Sequence, residues 1–167
     1  MSEGLQKGLL PTLSDLLTGD TIIVKASVSD WREAITKTGE VLVKIGAVEP
    51  RYIPAMTRFK EEFGPYIVIA PGIAIPHARP EDGVRRPCLC LMTLEKPVEF
   101  GSEHNDPVDL VIAFGAADNN QHLKALAQLA KLLSNQEDVE RIRGARRKEE
   151  VLEIILKYRG KKPKPPI

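Results

Sequence analysis

The sequence predicts an α/β fold: a mixed β-sheet flanked by helices on both faces, in a single domain. Three observations predict it. Short β-branched or apolar runs (TIIVKA, YIVIA, CLCLMTL, DLVIAF) alternate with longer segments of helical periodicity. Two of the runs, at residues 88–94 and 109–114, are apolar at successive positions, as strands covered on both sides must be. The length, 167 residues, suits one domain able to build its own core. We assign that domain to residues 1–159. The remaining GKKPKPPI, residues 160–167, is expected to be a flexible tail, because its prolines and lysines cannot build a core.

Each element has a local reason. Residues 9–17 form a short apolar segment, read as a helix opened by Pro11. Residues 21–26 are rich in β-branched side chains and read as a strand. Ser29 or Asp30 can cap a helix running to about Ile45, with Trp31, Ala34, Ile35, Val41, Leu42 and Ile45 on one face. Pro50 suits the first turn of a second helix, which ends near Gly64. Residues 66–70 read as a strand stopped by Pro71-Gly72, and residues 73–76 lead into a loop. After the strands at 88–94 and 109–114, Asp118 to Asn120 caps a helix over about 121–133. Leu123, Leu126, Ala127 and Ala130 are expected to form its apolar stripe. Residues 137–142 and 148–158 close the chain as helices.

Composition excludes several classes. Lys plus Arg is 24 and Asp plus Glu is 23, so there is no basic excess of the kind nucleic-acid binders carry. No apolar stretch approaches the ~20 residues of a spanning helix. Residues 1–10 lack the basic-then-apolar pattern of a signal peptide, so a cytoplasmic location is expected. The two cysteines, Cys88 and Cys90, are one residue apart inside an apolar run and fit neither a zinc pattern nor a disulfide framework. The phosphate loop G-x-x-x-x-G-K-[ST], the dinucleotide G-x-G-x-x-G, H-E-x-x-H and G-x-S-x-G are all absent. No cofactor and no metal site is implied.

The informative residues are three histidines. His77 lies in Ala70-Pro-Gly-Ile-Ala-Ile-Pro-His-Ala-Arg-Pro80, where a strand leads into the loop and Pro76 and Pro80 restrict the backbone on both sides. A nucleophile held this way loses little orientational entropy on meeting a partner. A neutral imidazole has a free lone pair near pH 7. Phosphoryl transfer asks mainly for positioning and for stabilisation of spread negative charge. Arg79, Arg85 and Arg86 are near in sequence and could supply that charge, with Glu81 and Asp82 opposing them. Taken alone, a histidine between prolines is more often a turn residue than a nucleophile, and Arg85 and Arg86 read as a solvated loop face. His122 opens the helix after Asp118-Asn-Asn-Gln, where free N–H groups and the positive dipole end favour a phosphate. Taken alone it reads as a first-turn polar residue. His104, in Glu103-His-Asn-Asp-Pro107, reads as an ordinary turn residue.

The stretch Gly72-Ile-Ala-Ile-Pro-His-Ala-Arg79 resembles the active-site signature of the mannitol/fructose class (type 2) of phosphotransferase-system enzyme IIA proteins. Phe63-Gly-Pro-Tyr-Ile-Val-Ile-Ala-Pro-Gly72, Glu49-Pro-Arg-Tyr52, Lys96-Pro-Val-Glu-Phe100 and Asn105-Asp-Pro-Val-Asp109 resemble its ascorbate-type branch. The likeness covers about residues 10–158. It implies a phosphotransferase component, with His77 as the phosphohistidine nucleophile and His122 as a second active-site histidine that stabilises the phosphoryl group. Arg79 is a candidate phosphate or partner contact. The implied partners are the phosphocarrier HPr, a cysteine of enzyme IIB and, indirectly, the membrane enzyme IIC that selects the sugar. The implied cargo system is ascorbate or a related sugar. A homodimer is compatible with the sequence. The helix before the loop, Met56-Thr-Arg-Phe-Lys-Glu-Glu62, departs from the Arg-Glu pair of mannitol-class members, so no role passes to Arg58. A regulatory relative, signalling by phosphorylation-dependent protein binding rather than by sugar uptake, is the alternative.

Overall fold

The computed structural model describes residues 10–118, 120 and 122–159. The tail at 160–167, the N-terminal residues 1–9 and the expected helix start at Gln121 lie outside the described residues. Helix α1 (Leu13–Leu16) is capped by Thr12, whose hydroxyl accepts the Asp15 N–H, so Pro11 precedes the cap instead of opening the helix. Strand β1 (Ile22–Ala26) follows. Asp30 caps α2 (Trp31–Lys44) by accepting the Glu33 N–H. Helix α3 (Tyr52–Phe63) begins after Pro50 and ends on Gly64, whose φ of 70° is one that L side chains resist. Then come β2 (Val68–Ala70), β3 (Ile73–Ala74), β4 (Cys88–Val98) and β5 (Val108–Gly115). Helices α4 (Leu123–Leu133), α5 (Gln136–Gly144) and α6 (Lys148–Leu156) complete the fold.

The five strands make one mixed sheet in the order β1-β4-β5-β3-β2. β4 is parallel to β1 and antiparallel to β5, and β3 is parallel to β5 and antiparallel to β2. Helices cover both faces, and alternation along the inner strands explains why. Cys88, Cys90 and Met92 of β4, with Val111 and Ala113 of β5, pack toward Ala34, Ile35, Leu42, Tyr52 and Met56 of α2 and α3. Leu89 and Leu91 of β4, with Leu110 and Ile112 of β5, pack toward α1 and α4–α6. A strand with both faces apolar can only sit inside a sheet clad on both sides. Each fully buried leucine contributes roughly 2–3 kcal/mol of transfer free energy. Both cysteines are buried on one side of β4 and behave as small apolar groups.

Three expectations are corrected. Gly64–Ile67 is a 3-10 turn, so the strand read at 66–70 is only Val68–Ala70. Residues 73 and 74, read as the approach to a loop, are strand β3, pairing with Leu110 and Val111 of β5. Two residues are too few to show any periodicity. The stripe of Leu123, Leu126, Ala127 and Ala130 is not the buried face of α4. Ala125, Gln128, Leu129 and Leu132 are buried, whereas Leu123 is 52% exposed. Gln128 looks wrong for a core position until its partner is seen: its Oε1 accepts the otherwise orphaned Leu13 N–H of α1 at 2.7 Å.

At the far end of the hairpin, the Asp106 carboxylate accepts the N–H groups of Phe100, Gly101 and Ser102 and so sets the turn between β4 and β5. His104 lies exposed in that turn, as expected. The opposite end of the sheet, where β3 and β5 both run out, carries His77.

Candidate active site at the end of the sheet

Residues 75–79 leave β3 without pairing as a strand, but they stay tied to the end of β5. The Phe114 N–H donates to Pro76 O at 3.1 Å, one step beyond the β3–β5 ladder. The Tyr52 hydroxyl, at the start of α3, donates to Phe114 O at 2.8 Å and accepts the Ala78 N–H at 2.9 Å. His77 is thus the middle of a three-residue arch whose two feet both rest on the Phe114 peptide groups.

The imidazole is held as firmly as the backbone. Nδ1 of His77 lies 2.9 Å from Ile75 O. A carbonyl oxygen only accepts, so the neutral ring carries its proton on Nδ1 and keeps a lone pair on Nε2. The ring stacks on Phe114, with centroids 4.6 Å apart, and meets Phe59 of α3 at 4.9 Å. The half-buried setting pushes the His77 pKa below its ordinary 6.5, because desolvation penalises the charged ring. The hydrogen bond to Ile75 works the other way and does not reverse the shift. The neutral, nucleophilic form is therefore favoured.

This shift fixes a pH dependence. We expect the His77 ring protons to titrate with a midpoint below 6.5 in an NMR titration. At pH 6, where an ordinary imidazole is roughly three quarters protonated, His77 should remain more neutral than that. A midpoint at or above 6.5 would contradict the reading. The linkage has the corresponding sign. As pH falls below 6.5 the unfolded chain takes up this proton first, so the His77 contribution to stability declines until the folded ring also titrates.

His122 is itself the N-cap residue of α4, so the cap read at Asp118 to Asn120 falls before the helix and His122 precedes its first turn. It is joined to His77 through Phe114: the phenyl ring lies 6.1 Å from the His122 ring at an interplanar angle of 20°. The His122 Nδ1 is buried and has no hydrogen-bond partner among the described residues. The preceding turn holds itself together, with the Asp118 carboxylate accepting the Asn120 N–H and the Asn120 carbonyl accepting that of Leu123. Asn119 lies outside the described residues.

Arg79 is exposed, and its N–H donates to Asp82 at 2.9 Å. It lines a pocket of about 180 Å³ with Arg58, Phe59, Glu62 and Asp82. Arg58 therefore does come near the loop, but the α3 residue that touches the His77 ring is Phe59. Arg85 and Arg86 remain on an exposed loop face: Arg85 is 3.9 Å from Glu49, and Arg86 donates to Ile45 O.

Beside His77 lies a groove of about 270 Å³ lined by Tyr66, Ile69, Ile75, Phe114, Leu126 and Leu133 among others. The stripe of α4 expected to face the core faces this groove instead, through Leu126 and Ala130. Around it, Phe63 is 47% exposed, Tyr66 75%, Ile69 52% and Leu123 52%. Exposed apolar side chains of this size near one groove mark an interaction or ligand-binding surface. Sequence reading missed Tyr52, Phe59 and Phe114 as site residues. Tyr52 did stand in one of the recognisable blocks, but its hydroxyl contacts are set by tertiary structure alone. Among the described residues, no group of three or more His, Cys, Asp or Glu side chains could hold a metal ion.

Residues 15–158 match the family model described as phosphoenolpyruvate-dependent sugar phosphotransferase system, EIIA 2. The ascorbate-specific PTS system EIIA component of Escherichia coli (strain K12) is 42% identical over 141 residues, covering 84% of this chain and 92% of that protein. The solution structure of the mannitol-specific cryptic phosphotransferase enzyme IIA CmtB from Escherichia coli is similar with a TM-score of 0.79 at 34% identity, covering 88% of this chain and 99% of the other. Enzyme IIAMTL of Escherichia coli, in its complex with phosphorylated enzyme IIBMTL, is similar with a TM-score of 0.74 at 31% identity, covering 84% and 97%.

Proposed function

The chain belongs to the phosphoenolpyruvate-dependent sugar phosphotransferase system EIIA 2 family, and from that premise we propose that it is a phosphoryl carrier working through His77. The observation that carries the reading is the His77 ring. Its Nδ1 donates to Ile75 O, its pKa is held low, and Nε2 is left with the lone pair. In the first step Nε2 attacks the phosphorus of phosphohistidine on HPr. The donor N–P bond breaks as the His77 Nε2–P bond forms. In the second step a thiolate of enzyme IIB attacks, the Nε2–P bond breaks, and an S–P bond forms. His77 returns with its lone pair, and Nδ1 keeps its proton throughout, donated in a hydrogen bond to Ile75 O. Delocalisation through the ring lets that hydrogen bond favour the phosphorylated form, in which positive charge spreads over the imidazole.

His122 is the proposed stabiliser of the phosphoryl oxygens, and Arg79 a contact for the phosphate or for a partner's acidic side chain. A donor that meets charge only as it develops is worth about 100-fold in rate. We accordingly expect His122→Ala to slow acceptance by about that factor while label still goes to His77. Single-turnover transfer from labelled HPr measures it, and an unchanged rate would remove His122 from the site. The groove and its apolar rim are read as the face on which HPr and IIB dock in turn. The names of the 42%-identical relatives point to ascorbate or a related sugar as the cargo of the system. Since HPr is cytoplasmic, so is the proposed site of action. Among the described residues no helix is long and apolar enough to cross a membrane.

The test is reconstitution. Phosphoenolpyruvate, enzyme I and HPr should load one acid-labile, base-stable phosphoryl group per chain. An ascorbate-type IIB should then discharge it faster than a mannitol-type IIB. A chain that HPr cannot load is not a carrier. One that loads but is discharged by no IIB has the regulatory role instead.

A further inference from the structure

We propose that the Tyr52 hydroxyl is a positioning group for His77, fastening the backbone on the far side of the histidine to the strand residue whose ring the histidine stacks on. The inference rests on the phosphoryl-carrier reading for its rate prediction but not for its geometry. Tyr52 has no exposed surface, and its ring packs in the core between α2, α3 and the sheet. A phenol so deeply buried must satisfy its oxygen, and it does so on two backbone groups 36 residues apart in sequence: Phe114 O at 2.8 Å and Ala78 N at 2.9 Å. Burial pushes its pKa well above the ordinary phenol value, so the oxygen keeps its proton and its donation to Phe114 O is permanent.

What distinguishes this from ordinary satisfaction is where the bonds fall. β3 and β5 pair in parallel at Ile73–Leu110 and Ala74–Val111, and the ladder continues once more, from Phe114 N–H to Pro76 O. There the chain turns away to expose His77, and the next rung is missing. The Tyr52 oxygen occupies that gap, accepting from Ala78 and donating to Phe114. The residue before His77 and the residue after it are therefore both anchored to Phe114, the first directly and the second through the Tyr52 oxygen. Phe114 carries the ring stacked 4.6 Å from the imidazole. With Nδ1 tied to Ile75 O, Nε2 has one direction in which to point. In-line attack is sensitive to such placement: a displacement near 1 Å costs about 100-fold.

Tyr52→Phe removes one oxygen and leaves the acceptor histidine untouched. We expect kcat for acceptance from phospho-HPr to fall 10- to 100-fold with KM changed less than 3-fold, because the docking rim is intact. Two readouts need no phosphate donor. The Ala78 amide, protected from hydrogen exchange in the parent protein, should lose protection selectively. The ¹⁵N signals of His77, expected to report a single Nδ1–H tautomer, should move toward the averaged values of a free imidazole. Wild-type kcat in Tyr52→Phe, together with an unshifted His77 tautomer, would overturn the proposal. Should that variant fail to fold, 3-fluorotyrosine placed at position 52 keeps the shape and weakens the oxygen as an acceptor. Exchange at Ala78 should then accelerate several-fold, and unchanged exchange and rate would overturn the proposal equally. If the parent protein takes no phosphoryl group on His77, the carrier reading falls, and the exchange and tautomer measurements still decide whether Tyr52 holds the ring.

Discussion

His77→Gln is expected to fold and to accept no phosphoryl group, with acceptance reduced by at least about 10⁴-fold, the scale on which removal of a covalent nucleophile acts. Glutamine matches the ring in length and offers hydrogen bonds, but its amide nitrogen has no available lone pair. The structural cost should be small. The imidazole is half-buried and not in either core, and its contacts with Phe59 and Phe114 are worth about 1 kcal/mol each at most. Thermal unfolding and labelled phosphoenolpyruvate with enzyme I and HPr test both halves. A folded His77→Gln chain that still takes label at the parent rate would move the nucleophile elsewhere. Mass analysis would then have to choose between His104 and His122. The structure makes a sharp distinction between those two: His104 sits in an exposed turn at the other end of the sheet, whereas His122 shares Phe114 with His77.

The second large effect is on stability. Asp138 is only 2% exposed, yet it is a carboxylate on α5. It accepts from Lys157 at 2.8 Å and from the Tyr158 hydroxyl, with Arg141 at 3.7 Å, and so binds the end of the chain beyond α6 to α5. Asp138→Ala leaves Tyr158 and Lys157 without that partner; because Lys157 and Arg141 are half exposed and can turn to water, the loss should cost about 1–2 kcal/mol. For a chain of this length that corresponds to a melting temperature lower by about 2–8 °C. The pH dependence follows from two directions. The hydrogen bond from Lys157, and then that from Tyr158, hold the Asp138 carboxyl below its ordinary value. Its contribution is present above the unfolded value of about 3.9 and is lost as pH falls through the lower folded one. Burial and the Asp138 contact push Tyr158 up to about 12. Above pH 10 the unfolded phenol ionises first, and stability falls again up to that value. A calorimetric scan in which Asp138→Ala melts with the parent, at pH 7 and at pH 3 alike, would show that the network contributes nothing.

The fold and the restrained histidine loop were legible because both leave local marks. Runs such as CLCLMTL can only be strands clad on both sides, and Pro-His in a loop after such runs announces a restrained side chain. The rest was not legible for specific reasons. Strand β3 has two residues, and two residues carry no period. Helix α4 has apolar side chains on more than one face. The face that turns inward includes Gln128, whose suitability there depends on an N–H donated from α1, 115 residues away. Arg58 was set aside on spacing. The structure brings it to the loop's edge but gives Phe59 the ring contact. Tyr52 and Phe59 come from α3 and Phe114 from β5, and they meet only in the folded state, so no spacing rule could have gathered them around His77.

The strand order also bears on how the chain is made. β1 is complete by residue 26 but hydrogen-bonds to β4, which begins at residue 88, and β3 needs β5, which ends at residue 115. A polypeptide leaving the ribosome at about 5–20 residues per second must therefore carry its first strand unpaired for several seconds. During that time α2 and α3 emerge with the apolar sides they will later turn to the sheet. These two helices can pack on each other at once, but the sheet face that covers them both is laid down only when the β4–β5 hairpin is out.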